Sequence, residues 1–365
     1  MLYAKINQTY MGFTNQIMAF IYSIIKTIKS KNHRVVVIDH FLIDYLKMDY
    51  TSISKIINLK ELNIYLLQKY NVIVIDKYNS KFGLVDVYYG VDNANKIEIT
   101  DEIKSTFLSM DGSRLFINKY TDFNRIKGDP FFDKEKTVFL KYEITIETGF
   151  KYTIEEKYNE WLNEHIIIDI SNAEYNLEFV NLYDIYRRVD ESDIFEDILN
   201  KITYSSEFYQ LAEKITKYID VKQKVNVIHL RIEPDAITHW SKINKMEPKA
   251  FQKCIEDKYI ELVKKYMNKS DAIIILSNST VNGVIDFLIK HNYHIFITYK
   301  YFIHREKNAL VDLLVSKRCN NIFVGCFTIL KTGSTFSNYI SKIMGKDVMK
   351  VGINIDFITL PEEVF

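Results

Sequence analysis

The chain is poor in the residues that would commit it to several broad classes. Its 365 residues include 3 cysteines and 4 prolines, and its charges balance to a net +1. Cys254, Cys319 and Cys326 show no C-x-x-C or Cys/His spacing, so the sequence indicates neither a disulfide framework nor a zinc site. An odd, low cysteine count suits reduced thiols in a reducing compartment. The eight histidines form no H-E-x-x-H pattern, and there is no D-x-D pair to carry a metal. Balanced charge removes the bulk attraction that would draw nucleic acid. No G-x-G-x-x-G follows a candidate strand, which disfavours a dinucleotide oxidoreductase. The longest early apolar run, Ile17–Ile28, already contains Lys26 and falls short of the ~20 residues that span a bilayer. It follows Asn15 and Gln16 rather than a basic segment, and no small-residue cleavage site follows it. The expectation is a soluble, cytoplasmic protein with no membrane span and no nucleic-acid partner.

What the chain does have is the patterning of a packed α/β protein. Hydrophobic residues make up 47% of it, and its length suggests two domains. A short strand over 2–6, a helix from Thr14 to Lys29, the strand VVVID (35–39), a helix over 52–70 and the strand VIVID (72–76) open a parallel sheet wrapped by helices. From about 77 to 147 the texture changes to short β-rich pieces separated by turn-like clusters. They read as an antiparallel module set into the first domain, or as further strands of that domain. Residues 152–219 return to helical spacing, including YNEWLNEH and AEYNLEFVNLYDIYRRV, with VDESD (189–193) as an acidic capping loop. A second β–α–β–α series follows: NVIHLR, a helix over 247–268, AIIIL (272–276), HIFITY (294–299), a helix over 306–316, and IFVG (322–325) leading into GSTFSNYISKIMG. The domains divide as 1–205 and 206–365.

One stretch organises the rest. In Asn226–Asp235 (NVIHLRIEPD) a buried-strand pattern runs straight into His229, Arg231, Glu233 and Asp235. Ligands of open α/β sheets collect at the carboxyl ends of strands, and a guanidinium there pairs with phosphate oxygens two at a time. The same residues also read as a core strand followed by surface ion pairs. Two other stretches have the same double character. In MGFTNQ (11–16), Gly12 permits close backbone approach, and the amides of Asn15 and Gln16 can meet sugar hydroxyls or a phosphate; all three are also ordinary turn and capping residues. In Gly333–Ser337 (GSTFS), hydroxyls and free N–H groups at a helix start can cradle a phosphate, with Phe336 packed beneath the loop or beside a base and Lys331 adding charge; plain N-capping selects the same residues. Ser277, opening SNST (277–280), ends a neighbouring strand.

These three stretches, in this order, resemble the G-x-x-N-Q turn, the H-x-R-x-[ED] motif and the late Ser/Thr–Phe loop of the fucosyltransferase superfamily, which includes the protein O-fucosyltransferases. The β-rich segment resembles parts of glycosyltransferase-like proteins of large DNA viruses, for which the compartment would be the host cytoplasm. The resemblance implies a GT-B-like α/β fold of two Rossmann-like domains facing across a cleft. It implies an inverting, metal-independent glycosyltransferase that takes a sugar, fucose foremost, from a GDP-sugar to a glycan or protein acceptor, with no cofactor besides that co-substrate. Arg231 then binds the diphosphate and stabilises the leaving group, and Glu233 or Asp235 is the carboxylate placed to act as general base. Gly12, Asn15, Gln16, His229, Ser277, Gly333, Ser334, Thr335, Phe336 and Ser337 join the donor site. Asp312 falls where the family often carries a donor-site acid, although a helical surface acid is the commoner explanation. A non-catalytic glycan- or nucleotide-binding protein derived from such an enzyme is the alternative. Retention of Arg231 and the GSTFS hydroxyls argues against it.

Overall fold

In a computed structural model, the structure describes residues 2–4, 12–29, 34–38, 41–44, 49–146, 149–162, 165–169, 189–277, 282–298, 302, 304–326, 333–355, 358 and 363–364. The amino-terminal unit is built on three parallel strands, β1 (Leu2–Ala4), β2 (Val35–Ile38) and β5 (Ile73–Asp76), in the order β1-β2-β5. β2 and β5 are buried at every position, as a parallel sheet covered on both faces requires. Helix α1 (Phe13–Lys29) follows β1. A β3–β4 hairpin (Phe41–Asp44, Asp49–Thr51) and helix α2 (Leu59–Tyr70) lie between β2 and β5. Asn58 caps α2 by accepting from Glu61 N at 3.4 Å, and Asn71 ends it in the left-handed region at φ 54°. The outer edge of β5 is closed by one buried side chain. Asn63 donates to Val74 O and accepts from Val74 N, both at 2.7 Å, so its amide stands in for a missing strand.

Alternation along β2 and β5 sends side chains to two different cores. Val36, Ile38 and Val74 pack with α1, whereas Val35, Val37, Ile73 and Ile75 pack with the β-rich segment. That segment comprises β6 (Ser80–Gly90), β7 (Lys96–Glu98), helix α3 (Thr100–Phe107), β8 (Arg114–Ile117), the single turn α4 (Asn124–Lys127), β9 (Thr137–Ile146), β10 (Lys151–Asn159) and β11 (Ile166–Asp169). Four strands form an antiparallel sheet in the order β10-β9-β6-β7, and β8 pairs with β11. Two expectations change. Residues 151–159 are a strand rather than helical, with Tyr152, Ile154 and Glu156 buried at a period of two, paired over nine residues with β9; the antiparallel strands therefore run past 147 to Asp169. The aromatic spacing there fits either period, and long-range pairing decides. The segment is also no free-standing module, because its inner face, including Tyr142, Ile144 and Val87, covers the back of the parallel sheet where a second helical layer would otherwise lie.

The sequence expected as a helix over 173–189 lies outside the described residues up to 188. The VDESD stretch is not a loop but the first turns of helix α5 (Val189–Leu199). Helix α6 (Ser206–Thr216) then leads into the carboxyl-terminal unit. There β12 (Val225–His229), β13 (Ala272–Leu276), β14 (His294–Ile297), β15 (Ile322–Gly325), β16 (Met349–Gly352) and the antiparallel β17 (Glu363–Val364) lie in the order β14-β13-β12-β15-β16-β17. This is the doubly wound, Rossmann-like order, reversing direction at β12. Helices α7 (Pro234–Ile243), α8 (Pro248–Tyr266) and α9 (Gly283–Lys290) cover one face. Helices α10 (Arg305–Ser316) and α11 (Thr335–Ile343) lie on the other and contact α1. One continuous core thus joins Val36 and Ile38, through α1, to Val227, Ile274 and Leu276. The two α/β units of a GT-B-like fold meet along α1.

Replacing residues 80–169 by a short Gly/Ser linker is expected to abolish cooperative unfolding of the amino-terminal unit, because it strips the cover from Val35, Val37, Ile73 and Ile75. Denaturant titration followed by far-ultraviolet circular dichroism checks this, and a sharp, native-like transition in the excised protein would contradict it.

Candidate functional site

Helices of a parallel α/β unit run antiparallel to the strands, so they begin at the strands' carboxyl edge. Here that rule brings the starts of α1, α7, α10 and α11 to one cleft of about 240 Å³ at the carboxyl ends of β12 and β13. Small-molecule sites usually hold ~300–1,000 Å³, so this space suits the charged centre of a larger ligand better than the whole of one. From the amino-terminal unit it is lined by Gly12, Phe13, Thr14 and Asn15; from the carboxyl-terminal unit by His229, Arg231, Glu233, Asp235, Ser277, Asp312, Ser334, Thr335 and Phe336, among others. Most residues singled out in the sequence therefore share one cavity. Gln16 is fully buried and Ser337 likewise; neither lines it, nor does Gly333. Met11, Lys331 and residues 278–280 lie outside the described residues.

Arg231 follows β12 by two residues. Glu233 then occupies the N-cap of α7, Pro234 its first position and Asp235 its first turn. Proline there is prearranged for a helix start, and carboxylates favour the positive end of the helix dipole. The turn swings both acids back onto the guanidinium. Nη1 donates to Glu233 Oε2 at 2.7 Å and Nη2 to Asp235 Oδ2 at 3.0 Å, with the guanidinium carbon 5.8 Å from the ring centre of Trp240. Two of the five N–H groups of the fork are thus used, and the other three have no partner among the described residues. Burial works against the charge on Arg231, but the two carboxylates outweigh it and hold its pKa above the ordinary value. Burial alone would raise Asp235; Arg231 outweighs it, and the pKa ends below the usual carboxylate range. Asp235 is accordingly a weak base in this arrangement.

Behind the fork the backbone is pinned by a residue that sequence inspection missed. The hydroxyl of Tyr259, fully buried on α8, donates to His229 O at 2.6 Å and accepts from Arg231 N at 3.2 Å, with Cys326 Sγ at 2.9 Å. It spans the two peptides on either side of Leu230. Burial pushes the Cys326 thiol up to about 12, so it is a neutral packing and hydrogen-bonding group.

Between the neighbouring strand β15 and α11, Gly333 takes φ 110°, a conformation that favours glycine, and Ser334 N donates to Cys326 O at 2.7 Å. Ser334 is the N-cap of α11, its hydroxyl accepting from Ser337 N at 3.4 Å. Ser334, Thr335 and Phe336 remain at the cleft, where α11 offers donors to an anion. Ser337 turns inward: its Oγ lies 2.6 Å from His229 Nδ1 and accepts from Cys326 N at 3.1 Å. Phe336 meets the imidazole edge-on, with ring centres 5.1 Å apart. Burial, helped by the charge of Arg231, lowers His229 to about 3, so the ring is neutral at physiological pH.

Helix α10 supplies a face at helical spacing, Arg305, Glu306, Ala309 and Asp312. Asp312 is half-buried at the cleft rather than a surface acid. Burial raises it to about 7, and the nearby charge of Glu233 adds to this against a hydrogen bond from Thr298. Glu306, 2% exposed, accepts the backbone N–H of Phe13, so an acid of one unit caps the first helix of the other. No local signal in the sequence marks Glu306 or Tyr259, since each acts on a partner far away in the chain. A Cβ at Gly12 would meet Glu306 Oε2 at 3.8 Å and nothing nearer, so glycine is not forced there by packing; it leaves the cleft open. Beside it, Thr14 Oγ1 and Asn15 Oδ1 are buried without a hydrogen-bond partner among the described residues. Among those residues no group of three or more His, Cys, Asp or Glu is arranged to hold a metal ion, and no helix is long and apolar enough to cross a membrane.

The chain matches no protein-family model and no curated protein sequence. Among solved structures it is similar to POFUT1 in complex with GDP-fucose, at 11% identity over 95% of this chain and 97% of that one, with a TM-score of 0.45. It is similar to POFUT1 in its apo form at 12% identity over 93% and 94%, with a TM-score of 0.43. A third similarity is to the NodZ α-1,6-fucosyltransferase soaked with GDP-fucose, at 14% identity and a TM-score of 0.32; it covers 47% of this chain and 52% of that one, about half the length of NodZ.

Proposed function

We propose that this chain is an inverting glycosyltransferase that needs no metal and moves a sugar, fucose foremost, from a GDP-sugar to a hydroxyl of a glycan or protein acceptor. The observation that carries the reading is the meeting, in one cleft, of the Arg231 fork at the end of β12 with the hydroxyl-rich start of α11 and the Gly12–Asn15 turn of the other unit. The motifs of the fucosyltransferase superfamily supply the chemical class.

In this reading the three remaining N–H groups of Arg231 and the first N–H groups of α11 take the diphosphate, opposing the charge that grows on it as the bond to the sugar breaks. The acceptor hydroxyl attacks the anomeric carbon from the opposite face, which inverts it. Glu233 and Asp235 act by aiming the guanidinium; the acceptor hydroxyl gives its proton to solvent on its own side as its oxygen bonds the anomeric carbon, while the diphosphate leaves from the other face with the electron pair of the broken bond. Asp312 faces the nucleobase, because an ionised carboxylate accepts the adjacent N–H donors of guanine as a pair. The carboxyl-terminal unit holds the donor and the amino-terminal unit the acceptor. Closure over the charged centre excludes the water that would hydrolyse the donor.

Arg231→Ala is expected to lower transfer by on the order of 10²–10³ in a protein that still folds, with some loss of stability because Glu233 and Asp235 lose their cation, and Arg231→Lys to restore only part of the transfer, since an ammonium lacks the bidentate fork. Turnover of GDP-fucose measured beside calorimetric binding of GDP checks both. Binding of GDP with neither transfer nor hydrolysis would favour the binding-protein alternative. Transfer is also expected to survive EDTA; loss restored by manganese would refute the metal-free mechanism.

Asp312 gives a pH dependence of known sign. Its folded pKa of about 7 lies above the ordinary 3.8, so the folded protein holds a proton that the unfolded chain releases. That stabilisation is complete below the ordinary value and disappears as pH rises through about 7. GDP binding, which uses the ionised form, should tighten over the same upper limb. Thermal unfolding and GDP titration between pH 5 and 8, repeated with Asp312→Asn, should show both slopes flatten; unchanged slopes would remove Asp312 from the site.

A further inference from the structure

Ser337 stands where the sequence suggested a ligand contact, yet it is fully buried behind the cleft wall. Its hydroxyl accepts from Cys326 N at 3.1 Å and lies 2.6 Å from His229 Nδ1. Either group of the second pair can donate, but the two choices have different costs. If Nδ1 carried the proton, Ser337 Oγ would accept twice and its own hydrogen would be left buried with no acceptor among the described residues. If Ser337 donates to Nδ1, the hydroxyl is satisfied in both directions and the imidazole proton sits on Nε2. Nε2, across the ring from Nδ1, has no protein partner among the described residues, and His229 lines the cleft beside Arg231.

We infer that Ser337 is a positioning residue that locks His229 as the neutral Nε2–H tautomer, so that the cleft presents a fixed uncharged donor to an oxygen of the bound ligand. The choice of ligand oxygen rests on the nucleotide-sugar reading above: an oxygen of the nucleotide, within reach of the same strand end as Arg231. The charged groups around the ring keep it neutral. Arg231 on its own strand end repels a second positive charge. Glu233 and Asp235 are occupied by Arg231, and Glu306 on α10 is engaged with Phe13 N. Arg305 and Asp312, also on α10, complete the set, and the first turn of α1 contributes Thr14 and Asn15 without charge. The pKa of His229, lowered to about 3 chiefly by burial, agrees. A neutral imidazole whose second nitrogen is fixed by a hydrogen bond is how proteins usually set a tautomer.

The direct test is nuclear magnetic resonance of the full chain labelled with ¹⁵N-histidine, reading long-range ¹H–¹⁵N correlations between pH 5 and 8, with the His229 signals assigned by their loss in His229→Gln. The expected result is a proton on Nε2, none on Nδ1, and no titration over that range. A proton on Nδ1, or a charged ring, overturns the lock. In Ser337→Ala the fixed tautomer should give way to a mixture, and GDP affinity should fall by about tenfold, the equivalent of one lost hydrogen bond. Ser337→Thr, which keeps the hydroxyl, should retain the native pattern. An unchanged tautomer in Ser337→Ala overturns the positioning role, and should that variant fail to fold, the native spectrum still decides the tautomer. Absence of GDP binding to the native chain overturns the nucleotide reading while leaving the lock standing. GDP binding that leaves the Nε2–H signal unmoved overturns the assignment of its ligand.

Discussion

Helix α1 has too little polar surface to lie on the outside of either unit. Twelve of its 17 residues are buried, including Ile17, Met18, Phe20, Ile21, Ile24 and Ile25. An apolar stripe normally covers one face; a helix buried nearly all round must be enclosed. Here the enclosure is shared: the β1-β2-β5 sheet on one side, α10 and α11 on the other. The cleft depends on that enclosure. Because α1 starts at the carboxyl edge of one sheet and packs on helices that start at the carboxyl edge of the other, the polar edges of the two sheets meet. The Phe13 N–H received by Glu306 fixes that meeting at the level of a single bond. Its loss would take from the start of α1 the acceptor that now satisfies one of its first backbone N–H groups.

Much of this was legible because strand ends and helix starts leave local marks. Val225–Leu230 reads as a buried strand, and the polar residues immediately after it must face whatever lies at that edge; Arg231, Glu233 and Asp235 do. Gly333 before a Ser/Thr run announces a turn into a helix, and its φ of 110° bears the turn out. Misreadings came where two periods fit the same residues. Lys151–Asn159 alternates apolar and polar, but its Tyr and Glu content also suits a helix, and only β9 as a partner decides. Ser337 was legible as part of a motif and illegible in direction, because which side of a helix's first turn faces the cleft depends on the packing of the whole helix. Glu306 and Tyr259 carry no local mark at all. Each bonds backbone far away in the chain, 293 residues for Glu306 and Phe13.

The β layer on the back of the amino-terminal sheet makes that unit asymmetric in a way that matters for the cleft. The inner face of β6, β9 and β10 is apolar and matches Val35, Val37, Ile73 and Ile75, while a buried polar cluster at its far end is fully paired. Lys136 Nζ lies 3.0 Å from Asp129 Oδ1 and 3.7 Å from Glu160 Oε2, and Glu160 also accepts from Tyr89 at 2.7 Å. A buried cation with two acids and a phenol is specific rather than strongly stabilising, since desolvation offsets most of the attraction. The exposed Tyr120 and Phe132 lie on either side of α4, in the stretch between β8 and β9 that carries Asp129 and Lys136. Tyr89 is itself buried.

The charges of the cleft pose a last problem for any anionic ligand. Arg231 and Arg305 face Glu233, Asp235, Glu306 and Asp312, an excess of acid. Two features reduce it. Asp312, with a pKa of about 7, carries only part of its charge near neutrality, and Glu233 and Asp235 are spent on Arg231. The larger correction comes from the backbone. Helices α1, α7, α10 and α11 all begin at the cleft, and each amino end carries roughly half a positive charge, about two in all. Glu306 sits on the first of these ends and Glu233 and Asp235 on the second, so their charges are answered locally. The end of α11 has no acid in its first turn. The net field therefore favours an anion at one place in the cleft, between Arg231 and Ser334–Phe336, and disfavours it beside Glu306. An anion drawn to that place would lie next to the imidazole of His229, which burial and the charge of Arg231 keep neutral, so the positive field there comes from Arg231 and the start of α11 alone.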